Sequence, residues 1–140
     1  MIWLDEVNEI INFYKSFNRY KKNTYAELYN YIIQAYQHRQ FKIFKDNKIY
    51  GFVNWAYVNQ LTQDNFLTTG RINNWRNGDI MLHVDFIANK NVKEIMSWLK
   101  NNSAKKLGIN KNLYWVRLNT KNKIRTIVKK KIKDNWLWVV

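Results

Sequence analysis

The stretch NWRNGDIMLHVDFIANKN, residues 74–91, holds one of the chain's two histidines, His83, and a carboxylate two positions on, Asp85. An imidazole titrates near neutral pH, and a nearby carboxylate can orient it or stabilise its cation, so the two together could serve as a general base. The segment IMLHVDFIA reads as a strand opened by the turn NGD. In a regular strand, side chains two apart share a face, which predicts that His83 and Asp85 point the same way, with Met81 and Ile87. Two ionisable groups on an otherwise apolar face need partners, because burying them unpaired is costly. An ordinary structural role competes: His83 packed beside the core and bonded to a backbone carbonyl, and Asp85 capping a turn.

The elements that must hold this strand follow from periodicity. Residues 2–17 space Trp3, Val7, Ile10, Tyr14 and Phe17 three and four apart, an amphipathic helix that the run NRYKKN ends. Thr24 and Glu27 form a capping box and start a second helix through about Tyr36. FKIFKDNKIYGFVNWAYV alternates around a KDNK turn as a β-hairpin. A long polar connection follows and should contain a helical turn. After the strand at 80–88, NVKEIMSWLKNN predicts a helix with Val92, Ile95, Met96 and Leu99 on one face and Asn91 as its cap. LYWVRLN (113–119) is a further strand, KNKIRTIVKKKIKDN is basic and of open structure, and WLWVV is a candidate last strand. The pattern predicts one α/β domain over 1–140, with a mixed, mostly antiparallel sheet flanked by helices.

Composition bounds the function. The 140 residues include no Cys, which removes disulfides, thiolate metal sites and cysteine nucleophiles. No apolar run approaches the roughly 20 residues that span a bilayer, and the N-terminus lacks the basic flank of a secretory signal, so a cytoplasmic protein is expected. The net charge of +14 attracts something anionic: nucleic acid, a membrane surface, an acidic carrier protein or a small anion. The chain is also rich in Lys, Asn, Ile and Tyr together, so much of the lysine can be plain solvated surface. Neither a P-loop nor a dinucleotide fingerprint is present, and the spacing of His and Asp offers no metal site. No cofactor is therefore expected.

From about Gln40 to Lys123 the chain resembles the toxin-activating lysine acyltransferases of the haemolysin/RTX type. Asn54, Trp55 and Ala56 match that family's small-residue-Trp-Ala strand end. Trp75, Gly78 and Asp79 match its Trp-x-x-Gly-Asp turn, Asp85, Phe86, Ile87 and Ala88 its Asp-Trp-Ile-Ala, and Arg117 the arginine of a later strand. The resemblance implies a GNAT-like acyltransferase fold and an acyl chain taken from acyl carrier protein and given to a side chain of a partner protein. It also implies a functional pair, an N-terminal histidine and the strand aspartate. Asp85 stands at the aspartate; counting back without gaps puts Tyr20 where the histidine belongs, and Asn89 replaces a proline. The chain is similar in these respects to shortened relatives in siderophore-microcin clusters. Those join a glycosylated catecholate siderophore to the C-terminal serine of a microcin, together with a partner subunit.

The expected partners are thus a toxin or microcin precursor peptide, a carrier-bound acyl group or glycosylated siderophore as donor, and a second copy or a second maturation subunit. Asp85, His83 and Tyr20 are the candidate catalytic residues, Tyr20 as an oxyanion donor since a phenol resists deprotonation at neutral pH. Trp55 and Trp75 are candidates for walling a substrate pocket, and Arg76 and Arg117 for holding an anionic donor; core and solvated-surface roles compete. Asp79 should fix its turn through an Asx bond, and His38 should lie at the surface. The usual GNAT glycine-rich pyrophosphate loop is missing, KKLGIN being a poor substitute, which favours a carrier-bound or preactivated donor over acetyl-CoA. The alternatives are carrier-dependent lysine acylation of an RTX-type toxin and a basic nucleic-acid-binding module. Against the latter, the tyrosines of 20–36 follow a helix face, which predicts packing.

Overall fold

Thr24, in extended conformation, accepts the Glu27 N–H, and the Glu27 carboxylate returns to the Thr24 N–H. This capping box launches α2 (Tyr25–Gln37), which follows α1 (Ile2–Lys15) after a run of turns. The computed structural model describes residues 2–119 and 124–137. Beyond α2 come the hairpin strands β1 (Phe41–Lys45) and β2 (Ile49–Val58), then α3 (Gln60–Thr69), β3 (Ile80–Ala88), α4 (Val92–Leu107), β4 (Asn112–Asn119), β5 (Ile124–Lys131) and a short 3-10 helix (Asp134–Leu137). Among the described residues no helix is long and apolar enough to cross a membrane.

The strands form one sheet in the order β1-β2-β3-β4-β5, antiparallel except for β3 and β4, which are parallel and joined through α4. It is the mixed, mostly antiparallel sheet flanked by helices that the pattern predicts. Alternation along β2 divides the core. Phe52, Ala56 and Val58 pack with residues of α1, α2 and α3, whereas Val53 and Trp55 pack with Ile95 and Leu99 of α4.

Some expectations are extended and others corrected. The polar connection holds a helix of ten residues, capped by Asn59, which accepts the Thr62 N–H, and by Gly70 at φ 71°. Asn91 is left-handed at φ 57° and makes no side-chain cap bond. The buried face of α4 is Ile95, Leu99, Ser103 and Ala104, while Val92 and Met96 are exposed. The basic run becomes β5, because β4 offers it an antiparallel partner over eight residue pairs. Trp136 and Leu137 lie in the 3-10 helix rather than a strand, and 138–140 fall outside the described residues.

The largest departure is one residue wide. Asn54 pairs with Asp85 and Trp55 with His83, so Val84 is an extra residue without a partner on β2, a β-bulge. Side-chain alternation resets across it, and His83 and Asp85, two apart in sequence, face opposite sides of the sheet. Beside the bulge the parallel pairing is short: Leu82 with Tyr114 and His83 with Trp115. Past that point β3 and β4 part, and Val84, Asp85 and Val116 border cavities.

Candidate active site

Asp85 is only 4% exposed, and its carboxylate is met by four donors. Tyr14 donates its hydroxyl to Oδ2 at 2.7 Å; Tyr20 and Tyr31 donate to Oδ1 at 3.3 and 3.2 Å. The Asn54 amide donates to Oδ2 at 3.3 Å, and its Oδ1 accepts the Asp85 N–H at 2.8 Å. Each partner has a structural reason to be there. Tyr14 continues the buried stripe of α1, Tyr31 lies on α2, Tyr20 sits in the turns between them, and Asn54 is the cross-strand neighbour. The rings support one another, Tyr14 lying edge-on to Tyr20 at 5.0 Å between centroids.

Burial raises the Asp85 pKa, opposed by the Tyr14 bond, the Arg19 charge and the bonds from Asn54 and Tyr31. The phenols of Tyr14, Tyr20 and Tyr31 are pushed upward, first by burial and then by the Asp85 charge, so all three stay protonated at neutral pH. The Arg19 guanidinium lies 5.3 Å from the Tyr20 ring centre and acts against that rise. Arg19 and Tyr20 line two cavities on this side, one of them also bordered by Asp85 and Phe86. The arrangement is a buried carboxylate wrapped in neutral proton donors, of which Tyr20 borders both cavities and Tyr31 one.

His83 is corrected from its expected place beside the Asp85 carboxylate. It is 5% exposed, on the α4 side, with its Nε2 3.2 Å from the Ser103 hydroxyl. Ser103 already donates its proton to the Leu99 carbonyl at 2.7 Å, so Nε2 carries the proton and Nδ1 the lone pair. Nδ1 has no hydrogen-bond partner among the described residues. Burial pushes the His83 pKa down to about 3, leaving an uncharged ring beside Trp55, 6.1 Å between centroids. The bulge is the cause: in an unbroken strand the two side chains would have met.

The other candidates disperse. Trp55 is buried on the α4 face with His83 and Trp98, whereas Trp75 is buried on the opposite side with Phe66, Ile72 and Leu82. Arg76 is exposed and bridges to Tyr57, and Arg117 is exposed on β4 opposite Thr126. None of these four borders the cavities at Asp85. Asn74 and Asn77 carry the side-chain bonds of the Trp75–Asp79 turn in place of Asp79. His38 is exposed at the end of α2, as expected. Of the tyrosines in 20–36, Tyr20 and Tyr31 bond Asp85 and Tyr29 and Tyr36 pack against the core.

Sequence reasoning therefore reached Asp85 and Tyr20, which the structure brings together, and missed Tyr14, Tyr31, Asn54 and Arg19. The usable signal was a carboxylate inside an apolar strand, whose burial demands donors from elsewhere. Among the described residues no three His, Cys, Asp or Glu side chains gather so as to hold a metal ion. A model of the RTX toxin acyltransferase family matches residues 6–130. No curated protein matches the chain.

Proposed function

Because the chain belongs to the RTX toxin acyltransferase family, we propose that it transfers an acyl group from a carrier-bound thioester to a side chain of a toxin or bacteriocin peptide. The observation that carries the chemistry is the Tyr20 hydroxyl on the Asp85 carboxylate, beside the parting of β3 and β4. A parallel strand pair that opens at a bulge, with helices on both faces, supports the GNAT-like reading of the fold.

In the proposed step the acceptor, a hydroxyl or neutral amine, attacks the thioester carbonyl. Its proton passes to the Tyr20 oxygen as the Tyr20 proton passes to Asp85. The new C–O or C–N bond forms, the C–S bond breaks, and the leaving thiolate takes a proton back along the same path, restoring Asp85. Burial suits Asp85 to this task, since a raised pKa makes the carboxylate a better base. Tyr20 thereby does the work of the histidine it replaces, as a neutral relay and oxyanion donor. His83 lies outside the relay.

The narrower reading joins a glycosylated catecholate siderophore to the C-terminal serine of a microcin, with a second subunit. One observation favours it: Tyr20 in the histidine's place. The test is coexpression with a candidate acceptor and an acyl carrier protein, followed by intact mass of the acceptor. An added acyl mass that Tyr20→Phe and Asp85→Asn both lose is expected. Undiminished modification by folded Asp85→Asn would end the proposal.

A further inference from the structure

The parting of β3 and β4 opens, on the α4 side, a cavity of about 310 Å³ bordered by Phe86, Met96, Leu99, Leu113, Trp115 and Trp136. It is largely apolar, and Asp85 is part of its border. An acyltransferase must keep its acyl chain out of water while the carbonyl carbon reaches the reacting pair; this cavity serves the first need, and it shares Val84, Asp85, Phe86 and Val116 with the cavity that Tyr20 lines on the other face. One wall is firmly fixed. Trp136 is 4% exposed, and Asn101 donates its side-chain amide to the Trp136 and Leu137 carbonyls at 3.2 and 2.8 Å, tying the 3-10 helix to α4. The Lys100 ammonium lies 5.5 Å from the centre of the Trp136 ring, adding a cation–π contact. A wall held this way sets a length.

We infer that the cavity accepts a straight, medium-length acyl chain of about ten to twelve carbons, with Trp136 as the residue that limits it. The inference rests on the acyl-transfer reading and adds to it the class of donor. The size follows from volume: a dry cavity of roughly 150 Å³ takes the six carbons of benzene, so about 310 Å³ takes about twice as many. Longer chains would leave methylenes in water, where they add no affinity. Each methylene that does enter should tighten binding about fourfold.

The experiment titrates the full chain with straight-chain fatty acids from six to sixteen carbons, below their micelle-forming concentrations, using the fluorescence of the wall tryptophans and calorimetry. Affinity should climb about fourfold per methylene and level off at about ten to twelve carbons. Trp136→Ala should move the plateau to longer chains, and Met96→Trp, at a position 40% exposed and so tolerant of change, should move it to shorter ones. Affinity that climbs as steeply to sixteen carbons, or that ignores chain length, overturns the inference. So does a plateau that neither variant moves. A plateau at the expected length without any acyl transfer would uphold the size of the cavity and sink the transferase reading. Equal transfer of long and medium chains would do the reverse.

Discussion

Asp85 and His83 are buried to nearly the same degree on opposite faces of one strand, yet the fold treats them differently. Asp85 receives three tyrosine hydroxyls and an amide, whereas His83 donates to one serine hydroxyl and loses its charge. A carboxylate cannot be neutralised cheaply by a lone partner, so its surroundings had to be assembled from α1, α2 and β2. An imidazole is neutral as soon as its proton leaves, and a single bond suffices. Burial of an ionisable group is thus a weak pointer to chemistry; the number and origin of its donors is a stronger one.

The contrast can be broken most sharply by activity. Tyr20→Phe removes the relay hydroxyl and should lower acyl transfer by about 10²–10⁴-fold. His83→Ala should cost less than about tenfold, well below the range for a lost acid–base group. Mass spectrometry of the acceptor over time measures both, and a reversed ranking would return the chemistry to the α4 face.

Stability sharpens it next. Tyr14→Phe deletes the shortest bond to a buried charge and should cost about 1.5–3 kcal/mol, whereas Ser103→Ala deletes two bonds between neutral groups, worth about 0.5–1.5 kcal/mol each. Urea unfolding of the two variants against the parent measures both, and a Tyr14→Phe cost no larger than that of a single neutral bond would mean that Asp85 carries no charge in the fold.

The third test is one of pH. The unfolded chain protonates His83 below about 6.5, while the folded chain resists until about 3. The unfolded state therefore binds the extra proton between those values. Stability from this group is full above 6.5 and falls on acidification, by at most about 1.4 kcal/mol per pH unit. Asp85 has the opposite sign. Its pKa is raised, so its contribution is full below the ordinary carboxylate value and is lost as pH rises through the folded one. Unfolding curves from pH 4 to 7 should therefore lose less stability on acidification in His83→Gln than in the parent, and lose more in Asp85→Asn.

Much of the frame was legible because it is local. Periodicity located the two N-terminal helices, the hairpin and the strand at 80–88, and Thr24 with Glu27 announced a helix start by chemistry confined to four residues. The ten residues of α3 look too polar to be a helix, and only the caps Asn59 and Gly70 betray it. β5 was hidden by its lysines, since a strand exposed along much of its length needs a neighbour more than an apolar face. The bulge left no mark: Val84 is an ordinary strand residue, with no glycine or proline to flag it. Asp85 could be found, but its donors could not. Tyr14 and Tyr31 sit on helix faces where packing explains them fully, and only the tertiary fold aims their hydroxyls at one carboxylate.

Asn54 makes two bonds to Asp85 from 31 residues away, while the tyrosines come from 54 to 71 residues away. That difference gives the site an order of assembly. The strand pair closes the shorter stretch of chain, so Asn54 can engage the acid while water still surrounds it. Docking of the N-terminal helices is then the step that dries a carboxylate, and it succeeds only when all three hydroxyls arrive in register. A mispacked pair of helices would press hydrocarbon onto a bare charge and be rejected. The residue proposed to move protons in the finished protein would, on the way there, proofread its folding.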